Sequence, residues 1–436
     1  MATGRYPAGV PWIIATEASE RFSYYGMRAI LTTYLVTQFF NPGGDPALRV
    51  AAEAEANART HLFVSLAYFM PLLGAWLADG WLGRYRVILG LSLVYCLGHA
   101  CLALFDDRLD GFMAGLLLLA LGAGGIKANV SAFVGAQFAQ ADSVEGRIQV
   151  ARAYGWFYFS INAGAVLSMA LVPWLLEHHG AAVAFGVPGL FMALATLLFW
   201  LGRHHYRHDP PAHPREWPQL LAEWRGAWRV LALFAFMPVF WALWDQSQSE
   251  WVLQAGHLDL TLLPGLVLLP GQVQLANPAL VLMLIPLLTT GIYPALQRRG
   301  LSPTPVRRLF TGLLLTALAF VVIALIQERI DAGGQPSVWW QLLAYLLLTT
   351  GEVLVSVTGL EYAYTQAPPR LRSVITACWL LTVSLGNLGV GLVNASIAQS
   401  GFFARLAGAD FYWFFTGLML LVAWLFARLA HRLLPD

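Results

Sequence analysis

The chain has 436 residues, of which 58% are hydrophobic and only 11% charged. A soluble domain carries about 25% charged residues, so this composition excludes an ordinary soluble protein and leaves a polytopic membrane protein. The formal net charge of +2 excludes little, because in membrane proteins the placement of charge matters more than its sum.

Apolar runs long enough to cross a ~30 Å hydrocarbon core recur along the chain. They predict twelve transmembrane helices, roughly at 11–37, 60–80, 86–105, 111–136, 150–176, 182–202, 230–253, 279–297, 306–327, 338–366, 371–397 and 409–431. The first run contains glutamates and is followed by no small-residue cleavage site, so no cleavable signal is expected. Cys96, Cys101 and Cys378 all fall inside apolar runs, without metal-ligand spacing. Neither a metal site nor a disulfide framework is expected from them.

With the N-terminus inside, eighteen arginines fall in the inner connections and tails and five, including Arg49 and Arg59, in the outer ones. That asymmetry predicts both termini in the cytoplasm. The longest inner connection, 203–229, divides the spans into an N-terminal six-helix bundle (1–202) and a C-terminal one (230–436). It begins R-H-H-Y-R-H-D-P-P, which reads as linker, and ends W-P-Q-L-L-A-E-W-R-G-A-W-R, which reads as a helix lying in the membrane interface. Its histidines could bind a metal, but a solvated basic linker satisfies the positive-inside bias without one. Two six-helix halves joined by an inner linker are the layout of the major facilitator fold. The inner loop G-A-W-L-A-D-G-W-L-G-R-Y-R, residues 74–86, resembles the signature loop of that fold, with Asp79, Gly83 and Arg84 in place. The matching loop after span eight, Y-P-A-L-Q-R-R-G, is a degenerate echo.

Three basic residues remain inside spans: Arg21, Arg28 and Lys127. Lys127 is the only lysine in a chain that uses arginine everywhere else. An ammonium is a compact point charge whose protonation responds to burial, whereas a guanidinium stays charged. The acids inside spans are Glu17, Glu20, Asp245, Glu352 and Glu361, with Glu250 nearer an outer end. Intramembrane ionisable groups are costly and mark functional sites. Glu17, Arg21, Tyr24 and Arg28 are separated by 4, 3 and 4 residues, so they share one face of the first helix, flanked by Glu20 and Tyr25. That face reads as the wall of a polar cavity; a structural polar seam is the plainer alternative.

Counting about 1.5 Å per residue, Arg28 and Asp245 lie roughly 22–26 Å from the inner surface, while Lys127 and Glu352 lie roughly 21–24 Å from the outer one. These depths suggest two ion pairs between the halves, Arg28 with Asp245 and Lys127 with Glu352, closing outer and inner gates in turn.

At this point the motifs are similar to those of the proton-dependent oligopeptide transporter family. E-A-S-E-R-F-S-Y-Y-G (17–26) resembles its E-x-x-E-R-F-x-Y-Y-G motif. G-G-I-K-A-N-V (124–130), W-F-Y-F-S-I-N-A-G-A (156–165), F-W-A-L-W-D-Q (240–246) and G-E-V-L-V-S-V-T-G-L-E-Y (351–362) resemble its motifs on spans four, five, seven and ten, the last closer to animal members. The resemblance implies a proton-coupled symporter of di- and tripeptides. It implies that Arg28 and Lys127 attract the peptide carboxylate and that Asn162, Asn277 and Glu352 receive its amino terminus. Tyr24, Tyr25 and Tyr68 would bind backbone and line side-chain pockets. Trp241 and Trp379 would form apolar walls, unless they are ordinary core or lipid-facing tryptophans. Glu17, Glu20, Arg21 and Asp245 would carry proton coupling. His61, expected at the outer end of span two, matches a histidine implicated in coupling in animal members, or else is an interfacial residue without consequence.

The chain departs from many bacterial members in lacking two extra helices between the halves and in carrying aspartate rather than glutamate on span seven. A same-fold carrier of another solute such as nitrate is the alternative, although a nitrate carrier needs no anionic pole. No H-E-x-x-H, G-x-S-x-G or paired catalytic aspartate motif is evident, so an enzyme is not expected. A channel fits two charged halves less well than alternating access does. No cofactor, metal or nucleic-acid partner is expected, and the chain is expected to work as a monomer in a cell membrane.

Overall fold

A computed structural model describes residues 7–41, 43, 45–138, 144–208, 228–301, 304–366 and 372–433. The described residues are almost entirely helical. In chain order the helices are α1 (Val10–Tyr34), α2 (Pro46–Leu77), α3 (Arg84–Leu104), α4 (Leu109–Ile126), α5 (Asn129–Ala136), α6 (Val144–His179) and α7 (Ala181–Leu201). They continue as α8 (Trp228–Phe234), α9 (Met237–Gln246), α10 (Glu250–Ala255), α11 (Ala276–Pro286), α12 (Tyr293–Arg298), α13 (Pro305–Asp331), α14 (Val338–Gln366), α15 (Arg372–Ala398) and α16 (Ala409–Leu433). A two-stranded antiparallel ribbon, β1 (Thr261–Leu263) with β2 (Leu266–Val267), turns at Gly265.

Among the described residues, eleven helical stretches are long and apolar enough to cross a membrane. α1, 25 residues long and carrying four charges, is the twelfth. Every predicted span is therefore occupied by helix. The predicted interfacial helix of the 203–229 connection lies for the most part outside the described residues.

Four local departures from the sequence expectation matter. First, α2 begins at Pro46 rather than near residue 60. Its first turns are alanine-rich and stitched by Arg49–Glu53 and Glu55–Arg59 contacts of 2.7 Å at i,i+4 spacing. Helix propensity and such pairs extend a helix where hydropathy falls away. Arg49 and Arg59 thus lie on a helix rather than in a loop. Second, span four is broken at Lys127–Ala128, and Asn129 Nδ2 donates to the carbonyl of Gly125 (3.1 Å) across the break. Third, span seven is three helices, interrupted at Ala235–Phe236 and again at Ser247–Ser249. Fourth, Glu361 is not enclosed by the protein: its side chain is 58% exposed and pairs with Arg308 at 3.5 Å.

The chain forms two compact units. One contains residues 1–30 and 66–214, the other 31–65 and 215–436, so α1 and α2 each contribute to both. In the first unit, α3 packs on α4 and α7, and α6 packs on α7. In the second, α13 packs on α14 and α16, α9 on α15, and α11 on α14. Without a hydrophobic drive between helices in lipid, small residues that let backbones approach supply the packing. α2 and α4 meet in this way. A Cβ on Gly74 would collide with the carbonyl of Gly124, and one on Gly124 would stand 2.8 Å from the Cβ and carbonyl oxygen of Met70.

Gly124→Val should therefore overpack this crossing and destabilise the protein by about 1–3 kcal/mol. Gly90→Ala, on α3 with nothing within 4 Å of the added methyl, should be near neutral. Thermal unfolding of the two purified variants in detergent reads the difference.

Candidate functional site

In the first unit, the charged face of α1 is buried: Glu17 is 5% exposed, Glu20 0%, Arg21 6%, Tyr24 0% and Arg28 1%. Arg21 Nε lies 3.2 Å from Glu17 Oε1 and donates to Glu20 Oε2, so one guanidinium serves two carboxylates. The same guanidinium carbon stands 5.5 Å from the ring centre of Tyr24 and 5.9 Å from that of Tyr25. Tyr24 and Tyr25 pack edge to face at 5.3 Å. Lys127, at the break between α4 and α5, lays its ammonium over Tyr68 (3.5 Å to the centroid) and Tyr24 (4.1 Å). A desolvated cation over an aromatic face gains about 2 kcal/mol. That attraction holds the only lysine between two tyrosines of α1 and α2.

α6 closes on this face. A Cβ on Gly164 would stand 2.6 Å from the carbonyl oxygen of Ala18 and 3.3 Å from the Cβ of Arg21. Asn162, two residues earlier and 7% exposed, gives its Nδ2 hydrogen to the Tyr158 carbonyl of its own helix at 3.0 Å.

In the second unit, Asn277 Nδ2 donates to Glu352 Oε2 at 2.6 Å and to Thr349 Oγ1 at 3.1 Å. α11 thus orients the carboxylate of α14. Trp241 and Trp379 meet edge to face at 6.0 Å, joined by Trp244 at 5.6 Å from Trp241 and Phe234 at 5.3 Å from Trp379. They form one aromatic cluster buried within the unit.

The break at Ser247–Ser249 sets two acids on either side of it, Asp245 (0% exposed) and Glu250 (5%). Asp245 Oδ2 accepts from Asn387 Nδ2 at 2.6 Å. Asn387 Oδ1 lies 2.8 Å from His61 Nδ1, and His61 Nε2 lies 3.1 Å from Glu250 Oε2. Ser249 Oγ stands 2.9 Å from the same Nε2 and also donates to Glu250 Oε2. Glu250 Oε1 accepts from Asn394 Nδ2 at 3.0 Å. Because α2 starts at Pro46, His61 lies about four turns inside it, fully buried rather than interfacial.

Within each unit the structure brings together most of the residues singled out by sequence. Glu17, Glu20, Arg21, Tyr24, Tyr25, Tyr68 and Lys127 form one group, Asn277 with Glu352 a second, Trp241 with Trp379 a third, and His61 with Asp245, through Asn387, a fourth. Sequence reasoning missed Ser249, Asn387, Asn394 and His99. His99 on α3 is 1% exposed and lies 2.7 Å from the hydroxyl of Ser23 on α1. Single polar residues in apolar helices were the available signal, but neutral ones carry no charge to make them conspicuous.

Removing one member of a buried ion cluster leaves the others uncompensated, at a cost of about 3–5 kcal/mol. Arg21→Ala should lower the thermal midpoint of the purified protein far more than Arg49→Ala, whose partner Glu53 sits on an exposed face of α2. Differential scanning of both variants in detergent tests this.

A profile of the POT family matches residues 85–216 and 216–403. Solute carrier family 15 member 2 of Mus musculus is 36% identical over 406 residues, covering 81% of this chain. Peptide transporter family 1 of Drosophila melanogaster is 37% identical over 378 residues, covering 76%. The chain spans about half the length of these relatives, 54% of the first and 49% of the second. Among solved structures, the in meso crystal structure of the POT family transporter PepTSo superposes with a TM-score of 0.88 at 36% identity, covering 99% of both chains. A proton dependent oligopeptide (POT) family transporter superposes with a TM-score of 0.82 at 37% identity, covering 96% of this chain and 100% of that one. With a mostly helical fold of eleven to twelve membrane-crossing helices that superposes on these solved POT family transporters, this multi-pass membrane protein belongs to the POT family.

Proposed function

We propose that this chain is a proton-coupled symporter that imports di- and tripeptides by alternating access between two six-helix bundles. The observation that carries the reading is a pair of opposite poles, each prepared within its own unit. Lys127 is sandwiched by Tyr24 and Tyr68, and Glu352 is held by Asn277. A peptide zwitterion needs both. Arg28 and Lys127 attract its carboxylate, Glu352 with Asn277 and Asn162 receives its ammonium, Tyr24, Tyr25 and Tyr68 take the backbone and line side-chain pockets, and Trp241 and Trp379 offer apolar walls. Relatives named as peptide transporters support the substrate class.

Proton coupling falls to Glu17, Glu20 and Arg21 in one unit and to His61 and Asp245 in the other. A carboxylate beside a guanidinium trades a charged pair for a protonated, released state. The arginine asymmetry supports cytoplasmic termini in a plasma or bacterial inner membrane. The chain works as a monomer, with protons, peptides and lipid as its partners. The pairs Arg28–Asp245 and Lys127–Glu352 act as the alternating gates.

In proteoliposomes, labelled dialanine should accumulate under an inward proton gradient and equilibrate only slowly without it. Uptake that ignores the gradient, or transport of nitrate in place of peptide, overturns the reading. Lys127→Ala should abolish gradient-driven uptake. Lys127→Arg should not restore it, because a planar guanidinium cannot take the ammonium's place between two rings. Exchanging the charges of Arg28 and Asp245 together should recover part of the uptake that either single replacement loses; no recovery counts against the gate.

A further inference from the structure

The amide of Asn387 has one orientation compatible with its neighbours. Its Nδ2 donates both to Asp245 Oδ2 (2.6 Å) and to the carbonyl of Val383 (3.0 Å), so Oδ1 must be the atom facing His61. An oxygen there accepts, and His61 Nδ1 therefore carries a hydrogen. Fixing one imidazole nitrogen in this way leaves Nε2 as the acid–base atom. Nε2 faces the carboxylate of Glu250 at 3.1 Å, with the Ser249 hydroxyl beside both.

On its other side Glu250 lines an open cavity of about 390 Å³. The cavity is rimmed by polar groups from several elements: Arg49, Glu53 and Asn57 of α2, His257 beyond α10, and Asp331 of α13. Arg49 and Glu53 are partly exposed, at 46% and 29%, so the cavity reaches the surface. His61 does not line it. Glu250 is therefore the group that touches both the cavity and the buried imidazole.

We propose that Glu250 relays protons between this cavity and His61. A proton arriving on Glu250 Oε2 passes to His61 Nε2: the O–H bond breaks, the N–H bond forms, and a neutral acid facing a neutral imidazole becomes a carboxylate facing an imidazolium. The Asn394 amide on Oε1 and the Ser249 hydroxyl on Oε2 stabilise the carboxylate so formed. The imidazolium is then flanked by two acids, Glu250 directly and Asp245 through Asn387.

The charged and titratable neighbours on every packed element suit this direction. The Arg49 guanidinium at the mouth contacts both Glu53 and His257. Burial and then Arg49 hold the His257 imidazole below its usual range, so that it stays neutral at neutral pH and adds no second cation. Asp331 bonds Gln327 and the backbone amide of Ala409. Tyr412 donates its hydroxyl hydrogen to the backbone carbonyl of Glu250 (3.4 Å).

Infrared difference spectra of the purified full chain between alkaline and acid pH test the proposal without any substrate. The first proton charges His61 and a second stays on Glu250 at acid pH, so the wild type should then show a protonated-carboxyl carbonyl band that is missing in Glu250→Gln, and its midpoint should move in His61→Gln. Spectra of Glu250→Gln that superpose on the wild type, or a midpoint indifferent to His61→Gln, overturn the relay. The transport arm rests on the proton-coupled reading. There, Glu250→Gln should lower the ratio of gradient-driven uptake to gradient-free dialanine counterflow by about tenfold, the scale of one lost charge-assisted hydrogen bond, with partial recovery in Glu250→Asp. An unchanged ratio, or an equal loss of both activities, makes Glu250 a structural contact only and overturns the proposal. A wild type without gradient-driven uptake defeats the transport reading and leaves the infrared result to decide the relay.

Discussion

Placing a charged side chain near the middle of a bilayer costs at least about 2.5–3.5 kcal/mol, and α1 carries four of them, all at most 6% exposed. The first unit is organised around compensating them. Arg21 divides itself between Glu17 and Glu20, and its flat guanidinium also covers two tyrosine rings. α6 has no side chain at Gly164, so its backbone comes close enough to exclude lipid from that face. A cluster that needs this much enclosure cannot be moved without disturbing three helices.

Both units break a helix where they need a charge. At Lys127–Ala128 the interruption turns an ammonium toward Tyr24 and Tyr68. At Ser247–Ser249 it separates Asp245 from Glu250 and frees the Ser249 hydroxyl to meet His61. Irregular backbone is tolerated at membrane depth only where it is buried in protein or lines a cavity. Here side-chain and backbone bonds take up the strain, among them Asn129 to Gly125 and Tyr345 to the carbonyl of Ser247 at 2.5 Å. Lys127, Asp245 and Glu250 thus sit at or beside the least regular parts of otherwise regular spans.

The spans were legible because twenty apolar residues in a row have one physical meaning. The stripe of Glu17, Arg21, Tyr24 and Arg28 was legible because 4-3-4 spacing puts side chains on one helical face whatever the helix packs against. The start of α2 was not, since hydropathy fades at residue 60 while alanines and i,i+4 pairs carry the helix back to Pro46. That misjudged boundary put a fully buried His61 at the end of span two rather than about four turns inside its helix. Glu361 erred the other way: an acid inside an apolar run, it lies on an exposed face with Arg308.

The sequence by itself determined the membrane fold, the family and the identity of the charges that the bilayer would not otherwise tolerate. The membrane fold and the charges follow from composition and period, and the family from a resemblance of motifs, all of them properties of the chain read in one dimension. Only the tertiary structure decided the partners. Asn387 between Asp245 and His61, and Glu250 between His61 and the cavity, join residues separated by up to 326 positions. Their neutral amides and hydroxyl mark polar positions in hydropathy but not their partners, because a hydrogen bond depends on where two atoms meet and not on how apolar the surrounding run is.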